Sequence, residues 1–265
     1  MTAMAPIITL TTDLGLTDAY VAEMKGVILG INPEARLVDI CHTIKPQNII
    51  QAAFVLSRAY PFFPQGTIHV VVVDPGVGTQ RRAIILRTKS ASFVAPDNGV
   101  LSYVIGQSAA WEAVAITRPQ FWRSTVSSTF HGRDIFAPVA ARLSLGLPLA
   151  DFGEAITSVT MLPLPQPYQA ADGSIIGHVI HIDSFGNLIT DITSDNLPKG
   201  KRGLTIKVGN EFISGLCRTY AEGEGLLVLI GSDGYLEIAV KDGNASALLS
   251  AKVGDEVRIR QRGKQ

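Results

Sequence analysis

Asp13, Asp74, Arg81 and His131 are the side chains of this sequence best placed to do chemistry. Asp13 sits in Thr11-Thr12-Asp13-Leu14-Gly15, at the carboxyl end of a predicted parallel strand, the edge where open α/β sheets bind ligands. A carboxylate there can accept from two adjacent sugar hydroxyls without a proton of its own. It can equally cap a turn before Gly15. Asp74 follows the run Val70 to Val73 and opens Asp74-Pro75-Gly76-Val77-Gly78-Thr79-Gln80-Arg81-Arg82, again at a strand's carboxyl end. The two glycines permit close backbone approach to a ligand. A dinucleotide fingerprint would need a third glycine where Arg81 stands and a helix after it, and a P-loop would need Gly-Lys-Ser/Thr; both readings fail. A solvent-exposed turn with two surface arginines stays open. His131, in Phe130-His131-Gly132-Arg133-Asp134, precedes a predicted helix, a setting that can present imidazole to a pocket.

Two further turns are chemically open. Asp183-Ser184-Phe185-Gly186-Asn187 and Gly231-Ser232-Asp233-Gly234-Tyr235 each interrupt two predicted strands and read as hairpin turns. An Asn amide can also match an adenine edge, and Phe or Tyr can stack on its face. Metal chemistry finds no support. His178 and His181 are separated by an odd number in a strand and face opposite ways, and His42 and His69 lack partners at ligand spacing, so no zinc is expected. Cys41 and Cys217 make neither a disulfide framework nor a zinc site, and are expected to be reduced, buried thiols of a cytoplasmic protein.

The elements that must hold these residues alternate over the first half. Ile7 to Thr12, Leu37 to Ile40 and Thr67 to Val73 read as strands, and Ala19 to Leu29 and Gln47 to Tyr60 as helices, the pattern of βαβ units on a parallel sheet. Ala83 to Arg87 and Ser92 to Ala95 form a β excursion, and helices are predicted over Asn98 to Ile105 and Asp134 to Leu145. Prolines at 163, 165 and 167 mark a boundary, so the predicted domains are 1–165 and 166–265. Beyond it Ile175 to Ile182, Leu188 to Ile192, Leu204 to Val208, Leu226 to Ile230, Tyr235 to Val240 and Glu256 to Ile259 read as strands of a small barrel or sandwich. The 265 residues are 46% hydrophobic and 17% charged, with 23 basic residues against 23 acidic, so a large core is available and the basic footprint of a nucleic-acid or anionic-membrane binder is missing. No apolar run reaches the ~20 residues of a membrane span, and no signal peptide is apparent. A small-molecule partner is the default.

With Ala95-Pro96-Asp97-Asn98-Gly99, these motifs occur in one order along nearly the whole chain. Together they resemble the S-adenosyl-L-methionine (SAM) hydroxide adenosyltransferases, adenosine-forming SAM hydrolases related to the fluorinase and chlorinase. The resemblance implies an α/β N-terminal domain with a mostly parallel sheet flanked by helices, a smaller all-β barrel-like C-terminal domain, and a homotrimer with active sites between subunits. It places the catalytic set on Asp74, Arg81 and His131 and the ribose-binding carboxylate on Asp13. Methionine-end and adenine contacts fall on Asp183, Phe185, Asn187, Ser232 and Tyr235, with Asn244 and Ala245 closing over the base. Where the fluorinase has a Tyr-Ser pair, this chain has His131-Gly132. The reaction implied is attack of water on ribose C5′ of SAM, giving adenosine and L-methionine, with no cofactor. The alternatives are a chloride-using halogenase and a non-catalytic SAM- or adenosine-binding module.

Overall fold

In the computed structural model of the chain, residues 5–198 and 203–261 are described. They belong to two compact units, Met1–Pro163 and Leu164–Gln265.

The first unit begins with β1 (Ile7–Thr12), α1 (Tyr20–Ile31), β2 (Arg36–Cys41), α2 (Ile49–Ala59) and β3 (Thr67–Val72). It continues through β4 (Ala83–Thr88), β5 (Ala91–Pro96), α3 (Ser102–Gly106), β6 (Trp111–Ala115), α4 (Ala137–Ser144) and β7 (Ala155–Ile156). The seven strands form one sheet in the order β2-β1-β3-β5-β4-β6-β7. Pairing is parallel from β2 to β5 and antiparallel from β5 to β7, so the expected β excursion is the hairpin β4–β5.

All six residues of β3 are buried, because helices cover both faces of the sheet. Val70 and Val72 pack with Met24 and Ile28 of α1 and Val139 and Ala140 of α4. Val71 and Val73 pack on the opposite face with Ala52 and Leu56 of α2 and Val104 of α3. Each such aliphatic side chain contributes roughly 1.5–3 kcal/mol by leaving water.

Both helices predicted in the second half of this unit start later than expected. At Asn98 the side-chain Oδ1 accepts from the Val100 N–H (3.2 Å), making a turn that delays α3 to Ser102. Asp134 was expected as an acidic residue in a first α turn. It lies instead in a π-helical turn, Gly132–Phe136, which leads into α4. There its buried carboxylate accepts from Arg123, from Arg133 and from the Ser127 N–H. His42 and His69 are buried and bonded to Thr12 (2.9 Å) and Thr9 (2.7 Å). Cys41 and Cys217 are free, and half-buried where full burial was expected.

The second unit comprises β8 (Tyr168–Gln169), β9 (Ile175–Ile182), β10 (Leu188–Thr193), β11 (Leu204–Val208), β12 (Glu211–Ser214), β13 (Leu226–Ile230), β14 (Tyr235–Val240), α5 (Ala245–Leu249) and β15 (Glu256–Gln261). Its strands run β12-β11-β15-β9-β10-β14-β13, all antiparallel, with β8 added on β9. The chain just after β12 lies beside β13, where the Cys217 N–H donates to the Val228 carbonyl (2.8 Å), so the sheet curls into a nearly closed barrel. Val179, Leu188, Ile206, Val228, Ile238 and Val257 are among the residues filling it. No helix among the described residues is long and apolar enough to cross a membrane.

Candidate active site

The carboxyl edge of the first sheet gathers the residues singled out there. Thr12 is in register with Val72, so Asp13 and Asp74 leave adjacent parallel strands at the same edge. After Asp74 the chain returns through two tight turns, Val77 N–H to Asp74 carbonyl (3.1 Å) and Thr79 N–H to Gly76 carbonyl (3.1 Å). Gly78 has φ +76°, and a Cβ there would collide with the Ser128 carbonyl oxygen. The close approach that this glycine allows is therefore to the chain's own backbone, in the segment leading to His131, where the sequence suggested a ligand.

That packing brings Arg81 between Asp74 and His131. Arg81 Nε donates to Asp74 Oδ1 (2.9 Å) and Oδ2 (3.0 Å), and Nη2 donates to Oδ2 as well. The same Nη2 meets His131 Nδ1 at 2.7 Å. The side chains of Arg81 and Asp74 are 11% and 5% exposed, so the pair is largely withdrawn from solvent screening. Phe136, not anticipated from sequence, supports the guanidinium from one side, with Cζ 5.2 Å from its ring centroid.

The protonation pattern follows from these contacts. Arginine is a permanent donor, so His131 Nδ1 must accept and the imidazole carries its proton on Nε2. Burial and the neighbouring Arg81 charge lower the His131 pKa, with Asp74 and Asp134 opposing them. The neutral ring is the resting form. Gly132 packs tightly beside it: a Cβ would meet Phe130 at 3.0 Å, Val72 at 3.1 Å and Met24 at 3.3 Å.

Asp13 does not cap the turn before Gly15. Thr12 Oγ1 takes the Leu14 N–H (3.2 Å) and the His42 carbonyl takes the Gly15 N–H (2.8 Å). Asp13 Oδ2 instead accepts from the Gln47 N–H (2.7 Å), which fixes the carboxylate and leaves Oδ1 for another donor.

In the second unit the Asp183–Asn187 turn closes on itself. Asp183 Oδ1 accepts from the Phe185 and Asn187 N–H groups (both 2.9 Å), and Oδ2 from Asn187 Nδ2 (3.0 Å). Phe185 is left 74% exposed. Asn244 packs against Gly186 and accepts from the Ala247 N–H (2.7 Å), capping α5, while the side chain of Ala245 is buried. Phe185, Asn187, Asn244, Lys241 and Tyr220 line a cavity of about 780 Å³. Ser232 and Tyr235 lie outside that lining, at the β13–β14 turn. The two turns flank buried Glu237, whose carboxyl is raised by burial and by Asp183 and Asp233 although the Tyr220 hydroxyl donates to it (2.6 Å). Tyr220 was missed from sequence because it belongs to a short helical turn with no periodic signal.

Residues 8–153 match the SAM hydroxide adenosyltransferase N-terminal domain, and residues 177–258 match its C-terminal domain. The chain is 40% identical over 263 residues to the (R)-S-adenosyl-L-methionine hydrolase of Salinispora arenicola, covering 97% of this chain and 98% of that relative. The hydrolase of the same description from Salinispora tropica is 40% identical over 262 residues, with the same coverage. A conserved protein from Thermotoga maritima superposes with a TM-score of 0.89 at 41% identity, over 96% of this chain and 100% of its own. Matched in order across both units, and with such relatives along nearly its whole length, the chain belongs to the SAM hydroxide adenosyltransferase family.

Proposed function

We propose that the chain hydrolyses SAM to adenosine and L-methionine by in-line attack of water at ribose C5′. The observation that carries this reading is the Asp74–Arg81–His131 constellation at the carboxyl edge of the sheet, in a chain of this family. Methionine leaves as a neutral thioether, so the leaving group needs no acid and no cofactor. The barrier lies with the nucleophile, because water with a pKa of ~15.7 must lose a proton as it attacks.

The available valences say how the residues divide that work. His131 has Nδ1 engaged by Arg81 and offers the Nε2–H as a donor. Asp74 receives two Arg81 donors on Oδ2 and one on Oδ1, so its spare acceptor capacity is on Oδ1. Asp74 and His131 together hold the attacking water and accept its proton, directly or as a coupled unit. Arg81 holds both groups and stabilises the carboxylate until the substrate's sulfonium draws the water in. Positioning of this kind contributes several kcal/mol, and base assistance roughly 10²- to 10⁴-fold.

Asp13 binds the ribose hydroxyls. Asp183, Phe185, Asn187, Ser232 and Tyr235, with the backbone at Asn244 and Ala245, take the adenine and methionine ends. Homotrimeric assembly with sites between subunits rests on the family resemblance alone, and light scattering on the purified protein tests it. A cytoplasmic location fits two free cysteines. The deciding experiment is incubation with SAM in ¹⁸O-labelled water. Label in the released adenosine supports the reading; unlabelled adenosine, or binding without turnover, overturns it. In chloride-rich buffer, 5′-chloro-5′-deoxyadenosine as the main product would overturn it too.

A further inference from the structure

The stretch Pro96-Asp97-Asn98-Gly99, at the end of β5, has no part in the reaction as described above. Its neighbours in space are the two stems of the Asp74–Arg81 loop. Asn98 Nδ2 donates to the carbonyl of Val73 (2.9 Å), the residue immediately before Asp74. The other end of that amide is fixed by the Val100 N–H (3.2 Å). β3 ends at Val72, so a side chain here serves a carbonyl lying just past the named strand. At the opposite stem the Asp97 N–H donates to the carbonyl of Arg82 (2.9 Å), the residue immediately after Arg81. The buried Asp97 carboxylate takes Arg82 Nε on Oδ2 (2.8 Å) and the Thr160 N–H on Oδ1 (2.7 Å). Two adjacent cations are thus sorted onto two carboxylates, Arg82 onto Asp97 and Arg81 onto Asp74.

We propose that Asn98 and Asp97 are positioning residues of the hydrolysis, holding Asp74 and Arg81 at reach of His131 through the two stems of their loop. The inference rests on the catalytic reading of Asp74, Arg81 and His131. Reaction rates fall about a hundredfold for a misplacement of ~1 Å, so a residue that fixes the Asp74 backbone acts on kcat without touching substrate.

The test is turnover of SAM by Asn98→Ala, in the otherwise native chain and in the Asp74→Ala background, with thermal unfolding and adenosine affinity measured alongside. The expected result is a loss of about 10- to 100-fold in kcat, with KM and adenosine affinity within about threefold of native. In the Asp74→Ala background no further loss is expected, because side chains that act through one another are not additive. An equal loss in both backgrounds, or native kcat in folded Asn98→Ala, overturns the proposal. Asn98→Asp keeps the size and the acceptor for Val100 but turns an acceptor toward the Val73 carbonyl; it carries the same expectations should the alanine variant not fold. Native turnover in folded Asp74→Ala would overturn the catalytic reading itself and this inference with it. Loss in Asp74→Ala with none in Asn98→Ala overturns the positioning role alone.

Discussion

Two carboxylate–arginine clusters act on His131, and they are built to opposite ends. Asp134 is fully buried and accepts from Arg123, Arg133 and the Ser127 N–H, while Arg133 also reaches Glu23 (2.7 Å). Each oxygen of that carboxylate already carries two donors. Asp74 and Arg81 are nearly as buried, yet the cluster ends on an imidazole with a donor to spare and a carboxylate oxygen with room for one more hydrogen bond. Burial and ion pairing alone therefore do not mark a site. What distinguishes the cluster proposed to be catalytic is unspent hydrogen-bonding capacity on its imidazole and carboxylate.

The largest effect expected from this contrast is on turnover. Asp74→Ala, Arg81→Ala or His131→Ala should each lower the rate of SAM hydrolysis by at least about a hundredfold in protein that still folds. A folded variant with the native rate would remove that residue from the mechanism. Asp134→Ala should do the reverse, leaving the rate near native while costing about 1–3 kcal/mol in urea unfolding through the hydrogen bonds lost from Arg123, Arg133 and the Ser127 N–H. Near-native stability in that variant would break the contrast.

The spent cluster should also show in acid. Burial pushes the Asp134 carboxyl up, and its bonds from Arg133, Ser127 and Arg123 more than reverse this, holding it at about 2. Its folded pKa lies below the unfolded value of 3.8, so the stability it gives is present above that value and is lost as pH falls toward 2. His69, stacked on Phe93 (5.2 Å) and bonded to Thr9, is lowered to about 4 by burial. The unfolded chain binds this proton near 6.5 and the folded chain only near 4, so about 3 kcal/mol should be lost as pH falls between them. His69→Gln should flatten that part of the stability–pH curve, and an unchanged curve would show that His69 is not its source. The smallest effect belongs to Asp13, an open group of the reactive kind. Asp13→Ala should weaken adenosine binding roughly tenfold, as expected for the loss of hydrogen bonds to a charged acceptor. Unchanged affinity by calorimetry would count against its ribose role.

Much of the fold was legible because it is written locally. The unbroken Val70 to Val73 run could only be a covered central strand, and the proline cluster after Met161 broke both periodic patterns. Trp111–Ala115 was overlooked because only its last three residues are buried, too short a run to stand out as a strand. Asp134 was misplaced because two of its partners, Ser127 and Arg123, lie seven and eleven residues back, in a stretch with no periodicity. The meeting of Asp74, Arg81 and His131 was even less visible. Arg81 and His131 are 50 residues apart, and only the ordered set of motifs in the family resemblance brought them together on the page. The role of Gly78 was half legible: the need for a close approach was in the residue type, and the identity of what approaches was in the fold.

The π-helical turn at Gly132–Phe136 holds one more residue than an α turn would need, directly after His131. Removing that residue would leave Pro138 and the rest of α4 seated while swinging the imidazole through about 100°. Its aim is therefore a matter of chain length as much as of partners. One residue more or fewer at the head of α4 would thus change which way this ring faces while the helix keeps its place on the core.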